Sequence, residues 1–172
     1  ALFSDGPRES EADLWVVDLA TEQASRLTFA PGIDRYPVWS PDAVRLAFQS
    51  ERSGVFDIWE RPASGGGAER SLYASPTSWK IARNWVGDYL AFETVEKATG
   101  FDIWLLRPER PADPPVHLVH SAASENDPRI SPDGQHAALP VPESQPHAPV
   151  HPPCLPAPRP RRACRLWRRG SK

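Results

Sequence analysis

Hydrophobic and polar residues alternate along much of the chain with the period of two that is typical of β-strands. In one clear run, large apolar side chains at Val44, Leu46 and Phe48 are separated by smaller or polar ones. Residues 56–59 carry bulk on both faces, which predicts a strand that is covered on both sides. Turn residues such as the Ser-Pro-Asp of residues 40–42 lie between the runs, and no helical period of useful length appears. The pattern therefore predicts an all-β fold.

The same landmarks recur with a period near 45 residues. Leu-Ala-Phe runs end at Phe48 and Phe92, 44 residues apart, and a similar run ends at Phe3, 45 residues before the first of them. Three other sets of landmarks keep the same order and nearly the same spacing: Trp15, Trp59 and Trp104; Leu27, Leu72 and Leu118; Trp39, Trp85 and Ile130. Four short strands in about 45 residues make one propeller blade. The prediction is a β-propeller of four-stranded antiparallel blades; a β-sandwich is the second choice, because it does not explain the period.

The repeat divides the chain into two predicted parts. Residues 1–139 are expected to form an incomplete propeller of about three blades, at about 1–28, 36–73, 82–119 and, cut short, 127–139. In the first full unit, strands are expected at 36–40, 44–50, 57–61 and 69–73. Residues 140–172 are predicted to be a Pro/Arg-rich disordered tail, because frequent prolines cannot supply the N–H groups of a central strand.

Charge separates the same two parts. Residues 1–139 hold 13 basic and 21 acidic residues, whereas residues 140–172 hold seven basic and one acidic, with nine of the 21 prolines and both cysteines. One hypothesis is that the tail is an out-of-frame translation, possible to test on the coding DNA. If the tail is genuine, its arginines and Trp167 offer a basic surface, although a nucleic-acid partner is not favoured on a short basic segment alone.

The repeat residues resemble a known family. Tyr-Pro-Val-Trp-Ser-Pro-Asp at 36–42, Leu-Ala-Phe at 46–48 and Phe-Asp-Ile-Trp at 56–59 resemble the repeat of TolB-like, WD-related bacterial β-propellers over residues 1–139. The resemblance implies a bacterial propeller in the periplasm or the cytoplasm. Such blades form TolB itself, the sensor halves of some bacterial serine/threonine kinases, and the gating propellers of prolyl-oligopeptidase-like enzymes. The units of this chain resemble the kinase-linked propellers most. The position after the Ser-Pro-Asp turn is usually glycine in this family; Gly134 keeps that pattern, whereas Ala43 departs from it. If the position requires a positive φ, an alanine there costs about 1 kcal/mol.

Catalytic motifs are not found in the sequence. There is no Gly-x-Ser-x-Gly elbow, and the three glycines at 65–67 lack the Lys-Ser/Thr of a phosphate loop. No catalytic residue, cofactor or metal site is assigned, and no apolar stretch approaches the roughly 18 residues of a membrane span. The chain is predicted to be a non-catalytic module that binds or senses a protein or a small-molecule ligand. The alternative is the accessory propeller of a kinase or peptidase. Methionine is absent even at position 1, and we expect a fragment whose remaining blades are further partners.

Trp79 is the candidate contact residue. It lies outside the repeat, in a predicted loop at residues 76–80. An unrepeated aromatic in a loop can bind a ligand or partner, and it can equally cover an irregular edge of the core. Both interpretations stay open at this point.

Two sets of residues are weighed as metal sites and set aside. Asp13, Asp57 and Asp102 begin equivalent strands and either line a channel or bond neighbouring backbone; their repetition favours the structural role. The tail holds four zinc-capable side chains, His147, His151, Cys154 and Cys164. Their spacing matches no known finger and prolines stiffen the chain between them, so an unstructured tail is favoured.

Overall fold

The computed structural model describes residues 11–96, 100–118 and 126–140, and within these ranges the chain forms twelve β-strands and no helix. Two complete four-stranded antiparallel sheets are flanked by two two-stranded sheets. The N-terminal sheet contains β1 (Trp15–Val17) and β2 (Ala24–Arg26). Unit 1 contains β3 (Asp34–Trp39), β4 (Arg45–Ser50), β5 (Asp57–Pro62) and β6 (Arg70–Tyr73). Unit 2 contains β7 (Trp79–Val86), β8 (Tyr89–Glu96), β9 (Gly100–Leu106) and β10 (Val116–His117). The C-terminal sheet contains β11 (Arg129–Ile130) and β12 (Ala137–Ala138).

The sheets are arranged radially. Strand β7 contacts both β3 and β11, which are the first strands of the neighbouring sheets. The sheets therefore converge at their first strands, and the first strand of each unit is its innermost. This is the geometry of propeller blades, and the prediction of an incomplete all-β propeller is confirmed.

A layer of apolar side chains lies between each pair of neighbouring sheets. Successive residues of β4 serve different layers: Phe48 packs toward the N-terminal sheet with Leu14 and Leu27, and Ala47 packs toward unit 2 with Trp85 and Phe92. A third layer joins unit 2 to the C-terminal sheet, with Leu105, Leu118 and Ile130 among its members. Full burial of one such large side chain stabilises the fold by about 1.5–3 kcal/mol.

The four strands predicted in unit 1 lie within two residues of those observed, with two differences. Val44 was expected in a strand, but β4 begins at Arg45 and Val44 is exposed in the preceding turn. The alternation also suggested one polar face on β4, yet Gln49 and Ser50 are fully buried. The second difference arises because neighbouring sheets cover both faces of β4, so Gln49 and Ser50 are buried among hydrogen-bonding partners.

The prediction that Trp79 lies in a loop and that unit 2 begins near residue 82 is wrong. Strand β7 begins at Trp79, which pairs with Val95 of β8. The backbone N–H of Lys80 donates to the carbonyl of Phe56 at 2.9 Å. These long-range hydrogen bonds extend the strand beyond the segment that the repeat pattern indicates.

The Ser-Pro-Asp turn predicted at residues 40–42 is confirmed, since the Ala43 N–H donates to the Ser40 carbonyl at 2.9 Å. Ala43 adopts a φ of 58°, and its equivalent Gly134 adopts 71°, so the position needs the left-handed conformation in both turns. In unit 2, Val86 and Tyr89 are paired across a two-residue turn, which makes a tight hairpin at Gly87 and Asp88.

Several predictions lie outside the described residues. They concern Phe3 and the whole of residues 141–172, including the zinc-capable side chains of the tail and Trp167. The division of the chain at residues 139 and 140 stays a prediction. Over the ranges that the structure describes, no helix is long and apolar enough to cross a membrane.

Candidate functional site

Aromatic rings and guanidinium groups alternate in a row across the junction of unit 1 and unit 2. Trp79 meets Phe56 edge to face, with ring centres 5.1 Å apart. The guanidinium carbon of Arg35 lies 4.5 Å from the centre of the Phe56 ring and 5.2 Å from that of Tyr36. The row ends at Arg83, whose guanidinium carbon lies 5.5 Å from the centre of the Tyr36 ring. We call these five residues the aromatic–arginine row.

The row is built mainly on the two innermost strands. Arg35 and Tyr36 belong to β3, Trp79 and Arg83 belong to β7, and Phe56 immediately precedes β5. Each strand is hydrogen-bonded within a four-stranded sheet, and β3 and β7 contact each other. The sheets therefore hold the row in a fixed arrangement.

Tyr36 and Trp79 expose their rings, whereas Phe56 lies beneath them. Trp79 is 52% exposed and Tyr36 is 43% exposed, while Phe56 is 6% exposed. Large exposed aromatic residues beside arginine are the composition that distinguishes the centre of protein interfaces from the rest of a protein surface.

Tyr36 has an unusual backbone conformation. Its φ is 52°, and it lies where the register between β3 and β4 shifts, between Arg35 and Val38. Its repeat equivalent in the last sheet, Asp127, also has a φ of 52°. A left-handed conformation costs roughly 1–2 kcal/mol at a residue with a Cβ, and it is rare for a bulky residue. Such strain concentrates at functional sites, which adds to the case for this surface.

A buried ion pair supports the row from below. The Lys80 side chain is fully buried, and its Nζ lies 2.6 Å from Oδ1 of Asp57. The same carboxylate accepts hydrogen bonds from the Ser53 hydroxyl at 2.6 Å and from the Ser75 backbone N–H at 3.2 Å. Lys80 also donates to the carbonyl of Ser75. Because Asp57 belongs to unit 1 and Lys80 to unit 2, the pair fixes one sheet against the other.

The repeated carboxylates all have a basic partner. Arg26 lies 2.5 Å from Asp13, and His117 lies 3.6 Å from Asp102, as Lys80 does beside Asp57. Asp57 also accepts the backbone hydrogen bond that the structural interpretation predicts. Within the described ranges, no group of three or more His, Cys, Asp or Glu side chains is arranged to hold a metal ion.

A cleft of about 390 Å³ lies at the turns that join the first two strands of each complete unit. Arg45 is the cation among its lining residues and lies 2.5 Å from Glu109. Burial opposes the charge of Arg45, but the hydrogen bond that it donates to Glu109 and the nearby charge of Glu60 raise its pKa overall. Since this cation is already neutralised from within the chain, the cleft offers less for recognition than the row does.

Sequence reasoning named Trp79 as a candidate contact residue and did not name the other members of the row. A signal was present in the repeat. By the strand registers, Arg35 and Tyr36 stand where unit 2 has Ile81 and Ala82. Arg35 and Tyr36 therefore mark positions at which the repeat is broken by larger side chains, whereas Phe56 keeps the repeat and has its equivalent in Phe101.

These observations define the class of protein as an incomplete β-propeller. Residues 3–140 match the family described as the TolB beta propeller domain, and the chain belongs to that family. The predicted resemblance is thereby confirmed. Propellers of this family are generally non-catalytic and mediate protein interactions.

Solved structures and a curated relative show the same fold over part of their length. TolB from Acinetobacter baumannii superposes with a TM-score of 0.67 at 16% identity, covering 84% of this chain and 35% of that one. A putative TolB from Agrobacterium tumefaciens gives 0.67 at 18% identity, covering 80% and 48%. The uncharacterized protein Atu1656 of Agrobacterium fabrum is 29% identical over 87 residues, which are 51% of this chain and 30% of that protein. The chain thus spans less than half the length of each of these proteins.

Proposed function

We propose that the chain is a non-catalytic propeller module that binds a protein partner through the aromatic–arginine row. The observation that carries the proposal is the exposure of Trp79 and Tyr36, at 52% and 43%, on strands that are held rigidly within sheets. Tryptophan, tyrosine and arginine are the residues enriched among those that dominate binding energy at protein interfaces.

The rigidity of the row favours specific binding of a partner over non-specific association. Phe56 supports Trp79, Arg35 separates Phe56 from Tyr36, and Arg83 lies against Tyr36. Side chains that are already ordered lose little conformational freedom when a partner docks, so more of the contact energy appears as affinity. The row supplies the centre of an interface, because a typical one buries about 800 Å² on each partner and needs surrounding contacts.

The role of the module within a longer protein is part of the same proposal. The chain spans 30–48% of the similar proteins, which is consistent with further blades or another domain in the parent protein. A kinase or peptidase domain in frame with this segment would identify it as an accessory sensor or gate. A full coding sequence that encodes propeller blades alone would contradict that accessory role and leave the binding module standing.

Site-specific photo-crosslinking tests the proposal in cells that make the full-length protein. A benzophenone amino acid is placed at Trp79, and in a separate variant at Leu19, which is 84% exposed but lies in the turn between β1 and β2. We expect position 79 to capture a discrete protein that position 19 does not capture. The same products at both positions, or none at position 79, would contradict binding through the row.

A further inference from the structure

We propose that Arg35 recognises a carboxylate of the partner polypeptide while a neighbouring apolar side chain of that partner packs on Trp79. The inference rests on the proposed function and deepens it, because it names the chemistry that the partner must present to the row.

Among the arginines that the structure describes, Arg35 stands out because it forms no ion pair with a described aspartate or glutamate. The described ranges contain ten arginines, and eight of them form an ion pair with an aspartate or glutamate. Within those ranges, Arg35 and Arg110 are the two that form none. Arg110 is exposed in the turn after β9, whereas Arg35 is half-buried in the aromatic–arginine row. A half-buried guanidinium without a counterion is poised to accept one from a ligand.

The Arg35 side chain is oriented by its neighbours. Its Nε–H donates to Oε1 of Gln49 at 2.7 Å, and Gln49 is fully buried and donates in turn to the Lys80 carbonyl at 2.6 Å. The rings of Phe56 and Tyr36 flank the guanidinium at 4.5 Å and 5.2 Å. With Nε engaged by Gln49, the two Nη groups and their four N–H donors remain for a ligand.

The donor arrangement selects a planar anion. A guanidinium presents parallel N–H groups that match the two oxygens of a carboxylate, and hydrogen bonds of this type are stronger than neutral ones. Three described carboxylates on the adjoining strands do not compete, since each of them is already paired with a cation of this chain. Arg52 lies 3.0 Å from Asp34, Lys80 lies 2.6 Å from Asp57, and Arg83 lies 2.7 Å from Glu93.

Trp79 adds the apolar half of the recognition. The Phe56 ring lies between Trp79 and Arg35, at 5.1 Å from the first and 4.5 Å from the second. An extended peptide places alternate side chains on one face, roughly 6.5–7 Å apart. An acidic residue two positions from an apolar one therefore presents both side chains to the same face of the row, where only the Phe56 ring separates the guanidinium from the indole.

A display library of random linear peptides provides the first test. The library is selected against the wild-type chain, Arg35→Gln, Trp79→Ala and the matched control Arg110→Gln, which removes the other unpaired arginine. We expect wild type and Arg110→Gln to enrich peptides with an acidic residue close to an apolar one. Arg35→Gln should lose the acidic preference, and Trp79→Ala the apolar one. Acidic enrichment that persists in Arg35→Gln would overturn the proposal.

Matched synthetic peptides then measure the pairing. A selected peptide is compared with its Glu-to-Gln analogue, and its C-terminal acid with its amide, so that side-chain and terminal carboxylates are distinguished. Loss of the recognised carboxylate should weaken binding to wild type on the order of tenfold or more and should leave binding to Arg35→Gln unchanged. Arg35→Lys keeps the positive charge but lacks the paired N–H donors of a guanidinium. Loss of the carboxylate should therefore weaken its binding by less than in wild type and by more than in Arg35→Gln. If Arg35→Gln fails to fold, Arg35→Lys decides the test.

The outcomes separate this inference from the proposed function. Peptides that bind equally well as acid and amide, yet lose affinity to Trp79→Ala, would overturn carboxylate recognition and support the row as a binding surface. If wild type enriches no peptide over Trp79→Ala, both proposals fail.

Discussion

The innermost strands of the two complete units share the same backbone register and differ in the side chains that they carry. Trp39 is the last residue of β3 and Trp85 is the last but one of β7, and both strands contain a shift of register. Between these shared features, Arg35 and Tyr36 of unit 1 replace Ile81 and Ala82 of unit 2. Repeated positions build the sheets, whereas the positions at which the repeat breaks carry the candidate site.

The shared tryptophans show how far a residue's environment depends on the neighbouring sheet. Trp85 is 5% exposed and belongs to the apolar layer against unit 1. Trp39 is 46% exposed, although its strand register gives it the same orientation. The sheet on the side of Trp39 has only the two described strands β1 and β2, so less surface covers this ring. Identical positions in the repeat therefore need not contribute equally to stability.

Replacing each tryptophan by alanine measures that inequality. We expect Trp85→Ala to lower the free energy of unfolding by about 4 kcal/mol, because a buried aromatic leaves a cavity between the units. Trp39→Ala should cost about 1 kcal/mol, because its ring is already partly in water. Urea unfolding followed by far-ultraviolet circular dichroism would measure both. Equal costs would show that the two environments do not differ as the structure indicates.

The ion pair between the units offers a second way to separate them. Lys80 stands where unit 1 has Asp34, and it reaches across to Asp57 instead of pairing within its own sheet. Lys80→Met leaves that buried carboxylate without its cation, and we expect a loss of about 3 kcal/mol in urea unfolding.

An exposed pair provides the control for Lys80. Arg129 and Asp127 lie 2.5 Å apart, but their side chains are 57% and 52% exposed. Arg129→Met should change stability by less than about 1 kcal/mol. A similar loss in both variants would mean that the buried position of Lys80 gives the pair no special weight.

The sequence predicted the repeated architecture because each landmark serves the same local purpose in every unit. Alternation, Ser-Pro-Asp turns and the Leu-Ala-Phe runs are short-range features that a single pass along the chain can read. The row could not be predicted in the same way. Arg35 meets Phe56, and Phe56 meets Trp79, only because β3, β5 and β7 are brought together. Nothing in the sequence near Arg35 shows that it forms no ion pair within the described residues.

The turns between first and second strands test the comparison at a smaller scale. Ala43 and Gly134 both adopt a positive φ, and a Cβ added at Gly134 would meet no atom within 4 Å. Gly134→Ala should therefore cost about 1 kcal/mol from backbone strain alone, and Ala43→Gly should recover about the same amount. Thermal unfolding of the two variants would measure both changes. Shifts of the same sign would rule out strain as the cause.

The carboxylates of the same two turns give the smallest effect. The Ser40 hydroxyl lies 2.5 Å from Asp42, and together with the Val44 N–H it lowers the pKa of that carboxyl; Ser131 and the Gln135 N–H do the same for Asp133. A lowered folded pKa stabilises the fold above the unfolded pKa, and this contribution is lost as acid pH falls through the folded value. Ser40→Ala should raise the pKa of Asp42 toward its usual value of 3.8, as read by carboxyl-carbon NMR titration. Asp133 is the control in the same spectrum and should keep its lowered pKa, since Ser131 is intact. If Asp42 does not move, the Val44 N–H rather than the repeated serine holds its charge.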